Sequence, residues 1–161
     1  MRSFSTLSKQ ESIFNMKVFI GADHRGLADK EILKVYLNEA GYEVEDKGAF
    51  TEDAHDDYPD FAYPVAKAVA ALPGSFGILL CGSGMGMDVV ANKVRGIRAT
   101  VGYSEEAITH GRSHDDINVL TLAADELDAE KLKNYARVFL ETPRDPDERH
   151  PGIGAGPGGP P

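Results

Sequence analysis

The sequence predicts an α/β protein, a single doubly wound, Rossmann-like domain with a five-stranded parallel sheet. Three observations predict this fold class. Short apolar or β-branched runs alternate with longer segments whose apolar residues recur at helical spacing. One run, Phe76–Cys81, is apolar without interruption, which is typical of a central strand covered on both faces. The length of 161 residues suits one domain with a sizeable core.

The predicted elements follow one another between residues 16 and 142. The strands are predicted from β-branched, aromatic or aliphatic runs at Lys17–Ala22, Glu43–Asp46, Phe76–Cys81, Ile97–Gly102 and Val119–Ala123. The first helix is predicted from the helical spacing of Asp29, Ile32, Leu33, Tyr36, Leu37 and Ala40, with Gly41 at its C-terminus. Four more helices are predicted at Tyr58–Leu72, Met87–Val94, Ser104–Gly111 and Asp128–Leu140.

Both ends differ in composition from this domain. Residues 1–15 are rich in hydroxyl side chains and lack an apolar run, so we expect a flexible leader. A mitochondrial presequence is the alternative, which Glu11 disfavours. Residues 143–161 hold six of the nine prolines and five of the seventeen glycines, which predicts a tail without a core of its own.

Charge and cysteine content exclude several classes of function. The 26 acidic residues exceed the 17 basic ones and give a net charge of −9, which disfavours nucleic acid and anionic membranes as partners. No apolar stretch approaches the roughly 20 residues of a membrane span. The single cysteine excludes an internal disulfide and suits a reducing compartment, so we expect a cytoplasmic protein.

Polar clusters flank three of the predicted strands. They are Asp23-His24 after the first strand, the Cys81–Gly86 turn after the third, and Arg112–Asp116 before the fifth. In open α/β sheets, ligands bind beyond the carboxyl ends of the strands, near the point where the strand order switches. We therefore expect the three clusters to converge on one site.

The turn Cys81-Gly82-Ser83-Gly84-Met85-Gly86 carries the most specific chemistry. Its outward N–H groups and the start of the next helix favour anions. Its spacing matches neither a dinucleotide fingerprint nor a nucleophile elbow nor a tyrosine-phosphatase loop. Cys81 is either a small buried hydrophobe or a functional thiol, because such a position favours the thiolate. Ser83 either caps the helix or supplies a catalytic hydrogen bond.

A series of motifs now carries a family resemblance over about residues 16–142. In order, they are Asp23-His24-Arg25-Gly26, Asp57-Tyr58-Pro59, Cys81–Gly86, Ala91-Asn92-Lys93, Gly96-Ile97-Arg98-Ala99, and His114 before Asn118-Val119-Leu120. Together they resemble ribose-5-phosphate isomerase type B and the related galactose-6-phosphate isomerase subunits.

The resemblance implies an aldose–ketose isomerase that converts a sugar phosphate, with ribose 5-phosphate as the expected substrate, and that needs no metal or organic cofactor. It implies that Cys81 moves a proton between C1 and C2, that Asp23 serves the sugar oxygens, and that His114 opens the furanose ring. The enediolate is steadied by Ser83 and the turn amides of Gly82, Gly84 and Gly86. The substrate pocket is completed by His24, which helps hold the phosphate, by Tyr58, and by Asp115, where many relatives have asparagine. The family works as a homodimer or a pair of dimers, with each site completed by the neighbouring subunit.

The chemistry agrees with these residue types. Enolisation needs a base and preorganised donors where oxyanion charge develops. Ring opening needs a separate acid–base group, and histidine exchanges protons near neutral pH.

The phosphate clamp departs from the family pattern. Relatives carry arginines just after the fifth strand and in the C-terminal segment, whereas Asp125 and Ile153 stand at two such positions here. We expect His24 and Arg112 to supply the central phosphate contacts. We expect Arg144, Arg149 or His150 of the tail to complete the clamp. The alternative for the two arginines is an exposed charge paired with Asp145, Asp147 or Glu148.

Two other functions stay open at this point. Phosphotransferase-system IIB domains, which carry phosphocysteine, also have a Cys-Gly-x-Gly turn, although their cysteine follows the first strand. A sugar-phosphate-binding domain without catalysis is the second. A zinc site at His110 and His114 is disfavoured, since Gly111 predicts a break in the helix between them and no third ligand is evident.

Overall fold

The computed structural model describes residues 16–146, which form five strands and five helices in strict alternation. The strands are β1 Lys17–Ala22, β2 Glu43–Asp46, β3 Phe76–Cys81, β4 Ala99–Val101 and β5 Val119–Ala123. The helices are α1 Leu27–Glu39, α2 Pro59–Ala71, α3 Met85–Ala91, α4 Glu105–Asp115 and α5 Ala129–Glu141. The predicted fold class is confirmed. The predictions for the leader, for most of the tail, and for Arg149, His150 and Ile153 lie outside the described residues.

The sheet is parallel throughout, in the order β2-β1-β3-β5-β4. The chain passes from β1 outward to β2 and then crosses back to β3 on the other side of β1, so the strand order switches between β1 and β3. The predicted central strand is confirmed, because β3 lies between β1 and β5 and is buried along most of its length.

Two apolar layers cover the sheet. On one face, Ile78 and Leu80 of β3 pack with residues of α1, α4 and α5; on the other, Leu79 and Cys81 pack with α2 and α3. The predicted apolar stripe of α5 is buried as expected. The stripe of α1 differs, because Lys30 is fully buried beside Leu33 and Leu37 whereas Ile32 is partly exposed.

Three elements differ from the prediction by two residues or more at one or both ends. Helix α3 begins at Met85, directly after Gly84 in the left-handed region, and ends where the Asn92 side chain turns to hydrogen-bond Ala99. Strand β4 is shorter because the Arg98 N–H donates to the Asn118 side chain instead of joining the ladder. Helix α4 continues past Gly111 to Asp115, so the expected break there is wrong.

Packing explains why α4 tolerates the glycine. A Cβ at Gly111 would lie 3.1 Å from Ile117 Cδ1, so the small residue lets the helix pack closely on the segment that leads into β5. Within residues 16–146, no helix combines the length and the apolar character that crossing a membrane requires.

Candidate active site

The carboxyl ends of β1 and β3 meet at the point where the strand order switches. Ala22 pairs with Leu80, and the Asp23 N–H donates to Leu80 O at 3.2 Å, which places Asp23 directly beside Cys81. Crevices of this kind hold the ligands of open α/β sheets. The structure thus brings together two of the three predicted clusters, Asp23-His24 and the Cys81 turn.

Asp23 is a buried carboxyl group that also organises the turn into α1. Its Oδ1 accepts hydrogen bonds from the N–H groups of Arg25 and Gly26, at 3.0 and 3.2 Å. Burial raises the pKa of Asp23, although these two hydrogen bonds act in the opposite direction. The carboxyl group is therefore fixed in position and holds a proton at a higher pH than an exposed aspartate.

His24 is held by an acidic partner that the sequence analysis did not identify. Its Nδ1 lies 2.6 Å from Asp56 Oδ1, and the same oxygen accepts the His24 backbone N–H at 3.1 Å. This hydrogen bond to Asp56 raises the pKa of His24, against the smaller opposing effect of burial. His24 thus carries a positive charge over a wider pH range, with its second ring nitrogen left for a ligand.

The Cys81 side chain lies at the base of the glycine turn and is only 5% exposed. The Gly84 N–H donates to Cys81 Sγ at 3.0 Å, a contact that the left-handed φ of 76° at Gly84 makes possible. Ser83 is exposed, and its hydroxyl accepts the N–H of Met85 at 3.2 Å. Ser83 therefore stabilises the start of α3, and a catalytic role for the same hydroxyl stays a prediction.

Tyr58 and Arg25 approach the turn closely at two of its glycines. A Cβ at Gly86 would lie 2.7 Å from Tyr58 Cζ, and one at Gly82 would lie 2.3 Å from Arg25 Cζ. Both side chains thus lie directly on the turn, in space that only glycine leaves open. Tyr58, predicted to line the pocket, is placed where it can do so.

The third predicted cluster lies elsewhere. Helix α4 returns from the end of β4 to the start of β5, so His114 and Asp115 in its last turn lie at the edge where the strands begin. The six residues of β3 span roughly 17 Å at about 3.3 Å per residue, which separates that edge from Cys81. The expected convergence of all three clusters within one chain is wrong, because a residue that precedes a parallel strand lies at its amino end.

Arg112 has a structural role at this opposite edge. It is 6% exposed, its guanidinium packs 4.8 Å over the Phe76 ring, and its Nη1 donates to Ile117 O at 2.6 Å. Asp116 accepts a further hydrogen bond from Nη1 at 3.1 Å. These contacts fix the corner between α4 and β5, which corrects the predicted role of Arg112 in phosphate binding.

Possible metal ligands occur in one cluster of the described chain. One ligand atom each from Asp23, His24 and Asp56 lie within 4.8 Å of one another. Asp23 Oδ1, His24 Nδ1 and Asp56 Oδ1 are engaged in the hydrogen bonds described above, which suits orientation of the imidazole. Although α4 is continuous and the rings of His110 and His114 lie 4.5 Å apart, no third ligand joins them within residues 16–146.

The crevice brings three functional groups to a turn with several N–H groups. They are the thiol of Cys81, the buried carboxyl group of Asp23 and the imidazole of His24, whose pKa is raised. This set suits proton transfer next to a carbonyl group, with donors near the developing oxyanion. Asp56 and Arg25 were not predicted as site residues from the sequence. Nothing in the sequence distinguishes Asp56 from the other acidic residues of its loop. Arg25 directly follows Asp23 and His24, two predicted site residues, and this position could have indicated it.

Comparison with known proteins decides the family. The profile described as Ribose/Galactose Isomerase matches residues 18–153, most of the chain. The chain belongs to the ribose/galactose isomerase family.

This chain matches most of the length of its relatives in the family. The probable ribose-5-phosphate isomerase B of Mycoplasma pneumoniae is 39% identical over 127 residues, which is 79% of this chain and 84% of that protein. The ribose 5-phosphate isomerase structure from Thermotoga maritima is 40% identical, with a TM-score of 0.78 over 84% of this chain and 92% of that one. The crystal structure of ribose-5-phosphate isomerase B from Mycoplasma genitalium with bound ribulose-5-phosphate has a TM-score of 0.79 at 37% identity, covering 84% and 89% of the two chains.

Proposed function

We propose that this member of the ribose/galactose isomerase family interconverts an aldose phosphate and its ketose, with ribose 5-phosphate and ribulose 5-phosphate as the substrate pair. The observation that carries the proposal is the crevice between β1 and β3, where Asp23 and the Cys81 turn lie side by side. Relatives that share this fold at 37–40% identity are named ribose-5-phosphate isomerases, one of them with ribulose-5-phosphate bound. The reaction belongs to sugar metabolism, in the pentose phosphate pathway, and the expected compartment is the cytoplasm.

Cys81 is the proposed base. As thiolate it removes the proton from C2 of the open-chain aldose and returns it to C1, while a proton moves from the C2 hydroxyl to the C1 oxygen. Negative charge builds on these oxygens in the enediolate, beside the turn amides and the Ser83 hydroxyl. Asp23, with its raised pKa, is placed to exchange a proton with them. The chemistry requires no metal or organic cofactor.

Substrate binding falls to the residues around the turn. His24, positively charged through Asp56, is the proposed contact for the phosphate group. Tyr58, which lies against Gly86, contacts the sugar.

Ring opening requires a second chain. His114 is the proposed acid–base group for the furanose ring, yet it lies roughly 17 Å from Cys81 along the sheet axis. A symmetric dimer brings the strand-start edge of one chain to the crevice of the other, so that His114 and Asp115 enter the partner's site. Arg144 lies at the same edge, 3.9 Å from Asp116, and can enter with them.

The surface around the crevice supports this dimer. Met85 and Val89, one turn apart on α3, are 66% and 58% exposed, and Tyr63 on the neighbouring α2 is 52% exposed. Asp88, on the same short helix, has a buried Oδ1 without a hydrogen-bond partner among the described residues. An interface over α3 would cover these apolar side chains. The dimer is the proposed minimal unit, and pairing of two dimers is compatible with it.

The proposed function is tested by incubating the protein with ribose 5-phosphate and measuring ribulose 5-phosphate. We expect turnover by the wild type and loss of most of it in Cys81→Ala, with the fold retained. Binding of ribose 5-phosphate without turnover would favour a silent binding domain. Transfer of a phosphoryl group to Cys81 would favour a phosphocysteine carrier. Near-native turnover by Cys81→Ala would remove the cysteine from the mechanism.

A further inference from the structure

The Arg25 side chain covers part of the glycine turn. The ideal Cβ position at Gly82 lies 2.3 Å from Arg25 Cζ, 2.5 Å from Nη1 and 2.6 Å from Nε. The guanidinium therefore lies on the Gly82 backbone, one residue beyond Cys81. Arg25 comes from the loop after β1, directly after His24, so both cationic side chains reach the crevice from the same loop.

Asp125 holds this guanidinium from the other side of the turn. Arg25 Nη2 donates to Asp125 Oδ2. The Asp125 backbone N–H donates in turn to Gly82 O at 3.1 Å, which fixes the carboxylate-bearing residue just after β5. Arg25 and Asp125 thus bridge the ends of β1 and β5 across the turn that follows β3.

The pair leaves most of the donor capacity of Arg25 unused. A guanidinium has five N–H groups, and one of them is engaged in a hydrogen bond within residues 16–146. The Arg25 side chain is 54% exposed, so the other donors are accessible to a ligand. A planar guanidinium donates two parallel hydrogen bonds to a phosphate, which makes it the preferred group for that anion.

Charge at the crevice also requires a cation. Asp23, Asp56 and Asp125 lie around the turn, and a sugar phosphate adds further negative charge. His24 in its protonated form would supply one positive charge against these three carboxyl groups. Arg112, the other expected contact, is buried at the opposite edge of the sheet. Arg25 is the guanidinium that the structure places on the turn.

We propose that Arg25, positioned by Asp125, binds the phosphate group of the substrate. The inference rests on the proposed function for the identity of the sugar phosphate. Asp125 is then the positioning residue of this arginine.

The test compares Arg25→Gln with Arg137→Gln, a matched loss of an exposed arginine on α5 that pairs with Glu141. We expect Arg25→Gln to raise KM for ribose 5-phosphate about tenfold or more with kcat little changed, because a phosphate contact is made equally in ground and transition states. The inhibition constant of inorganic phosphate should rise by a similar factor. Arg137→Gln should match the wild type in both.

Asp125 variants separate phosphate binding from a merely structural ion pair. Asp125→Asn should raise KM less than Arg25→Gln, since the guanidinium loses its support but remains. The double variant Arg25→Gln/Asp125→Arg should recover much of the lost affinity, because a guanidinium then reaches the site from position 125. Equal effects of Arg25→Gln and Asp125→Asn, with the phosphate inhibition constant unchanged, would overturn the proposal.

Direct binding distinguishes this proposal from the function on which it rests. Inorganic phosphate should raise the unfolding temperature of the wild type and of Arg137→Gln. The rise should be much smaller for Arg25→Gln. An active wild type whose KM and phosphate binding survive Arg25→Gln would overturn the inference and leave the function intact. If the wild type has no isomerase activity but binds phosphate in a way that depends on Arg25, the proposed function is overturned and the inference about Arg25 is upheld. A fall in kcat without a change in KM would also overturn the phosphate assignment.

Discussion

Lys30 and Asp46 form a buried ion pair, and substituting Asp46 should lower the stability of the protein more than substituting Lys30. Lys30 Nζ is fully buried in α1, where it lies 2.8 Å from both carboxylate oxygens of Asp46 and donates to Ala49 O. Asp46 also accepts Lys34 Nζ at 2.7 Å and the Gly48 N–H at 2.8 Å. Removing the carboxylate leaves the buried ammonium with the Ala49 carbonyl and the more distant Glu31 Oε1, 3.6 Å away. Removing the ammonium instead leaves a carboxylate that keeps two donors.

Magnitudes follow from that difference. Asp46→Ala should lower the free energy of unfolding by about 3–5 kcal/mol, the cost of removing the main partner of a buried charge. Lys30→Met preserves the buried volume and leaves mainly the Ala49 carbonyl without its donor, so we expect a loss of about 1–3 kcal/mol. The double variant Lys30→Met/Asp46→Ala should be more stable than Asp46→Ala, because it no longer buries an ammonium that has lost its main partner.

Urea denaturation at one fixed protein concentration measures these differences, because the stability of the proposed dimer would depend on the protein concentration. Asp46 also sets the pH dependence. Burial raises its pKa, but the hydrogen bonds from Lys30, Lys34 and Gly48 outweigh it and hold the pKa below the ordinary 3.8. This contribution to stability is therefore present above pH 3.8 and is lost as the pH falls through the lower, folded-state pKa. An Asp46→Ala variant that loses no more stability than Lys30→Met, or a double variant no more stable than Asp46→Ala, would contradict this role of the ion pair.

Three further predictions concern the crevice. Asp56→Asn should lower the pKa of His24 toward 6.5. KM for the sugar phosphate should then start to rise at a lower pH than in the wild type or in the loop control Glu52→Gln, and superimposable pH profiles of KM would contradict this. Gly86→Ala should lower kcat/KM by about ten- to a hundredfold by displacing the Tyr58 ring, and adding Tyr58→Ala should then cost little more; fully additive losses would separate the two residues. His114→Ala should reduce turnover of ribose 5-phosphate much more than that of a four-carbon sugar phosphate that cannot cyclise, whereas equal losses would point to a positioning role.

Much of the fold could be predicted because its signals are local. The uninterrupted Phe76–Cys81 run and the α5 stripe each depend on residues a few positions apart, and both predictions are confirmed. The burial of Lys30 could not be predicted in this way. It depends on Asp46, sixteen positions away, and only the packing of α1 beside the end of β2 joins the two.

The candidate site, too, has a part that could be predicted from the sequence and a part that could not. Asp23 and the Cys81 turn follow strands, so their meeting at one edge follows from a parallel sheet. His114 precedes a strand, and the same rule places it at the opposite edge. The contacts of Arg25 with Asp125 and of His24 with Asp56 link loops that are distant in sequence, and no local pattern marks them.

Subunit complementation between Cys81→Ala and His114→Ala tests the central claim most directly. If each site joins Cys81 of one chain to His114 of the other, both variants are nearly inactive alone, and a hybrid dimer has one intact site. Random reassembly of an equal mixture makes half of the dimers hybrids, so isomerase activity on ribose 5-phosphate should return to about a quarter of the wild-type value. A reassembled mixture no more active than the separate variants would contradict a site shared between two chains.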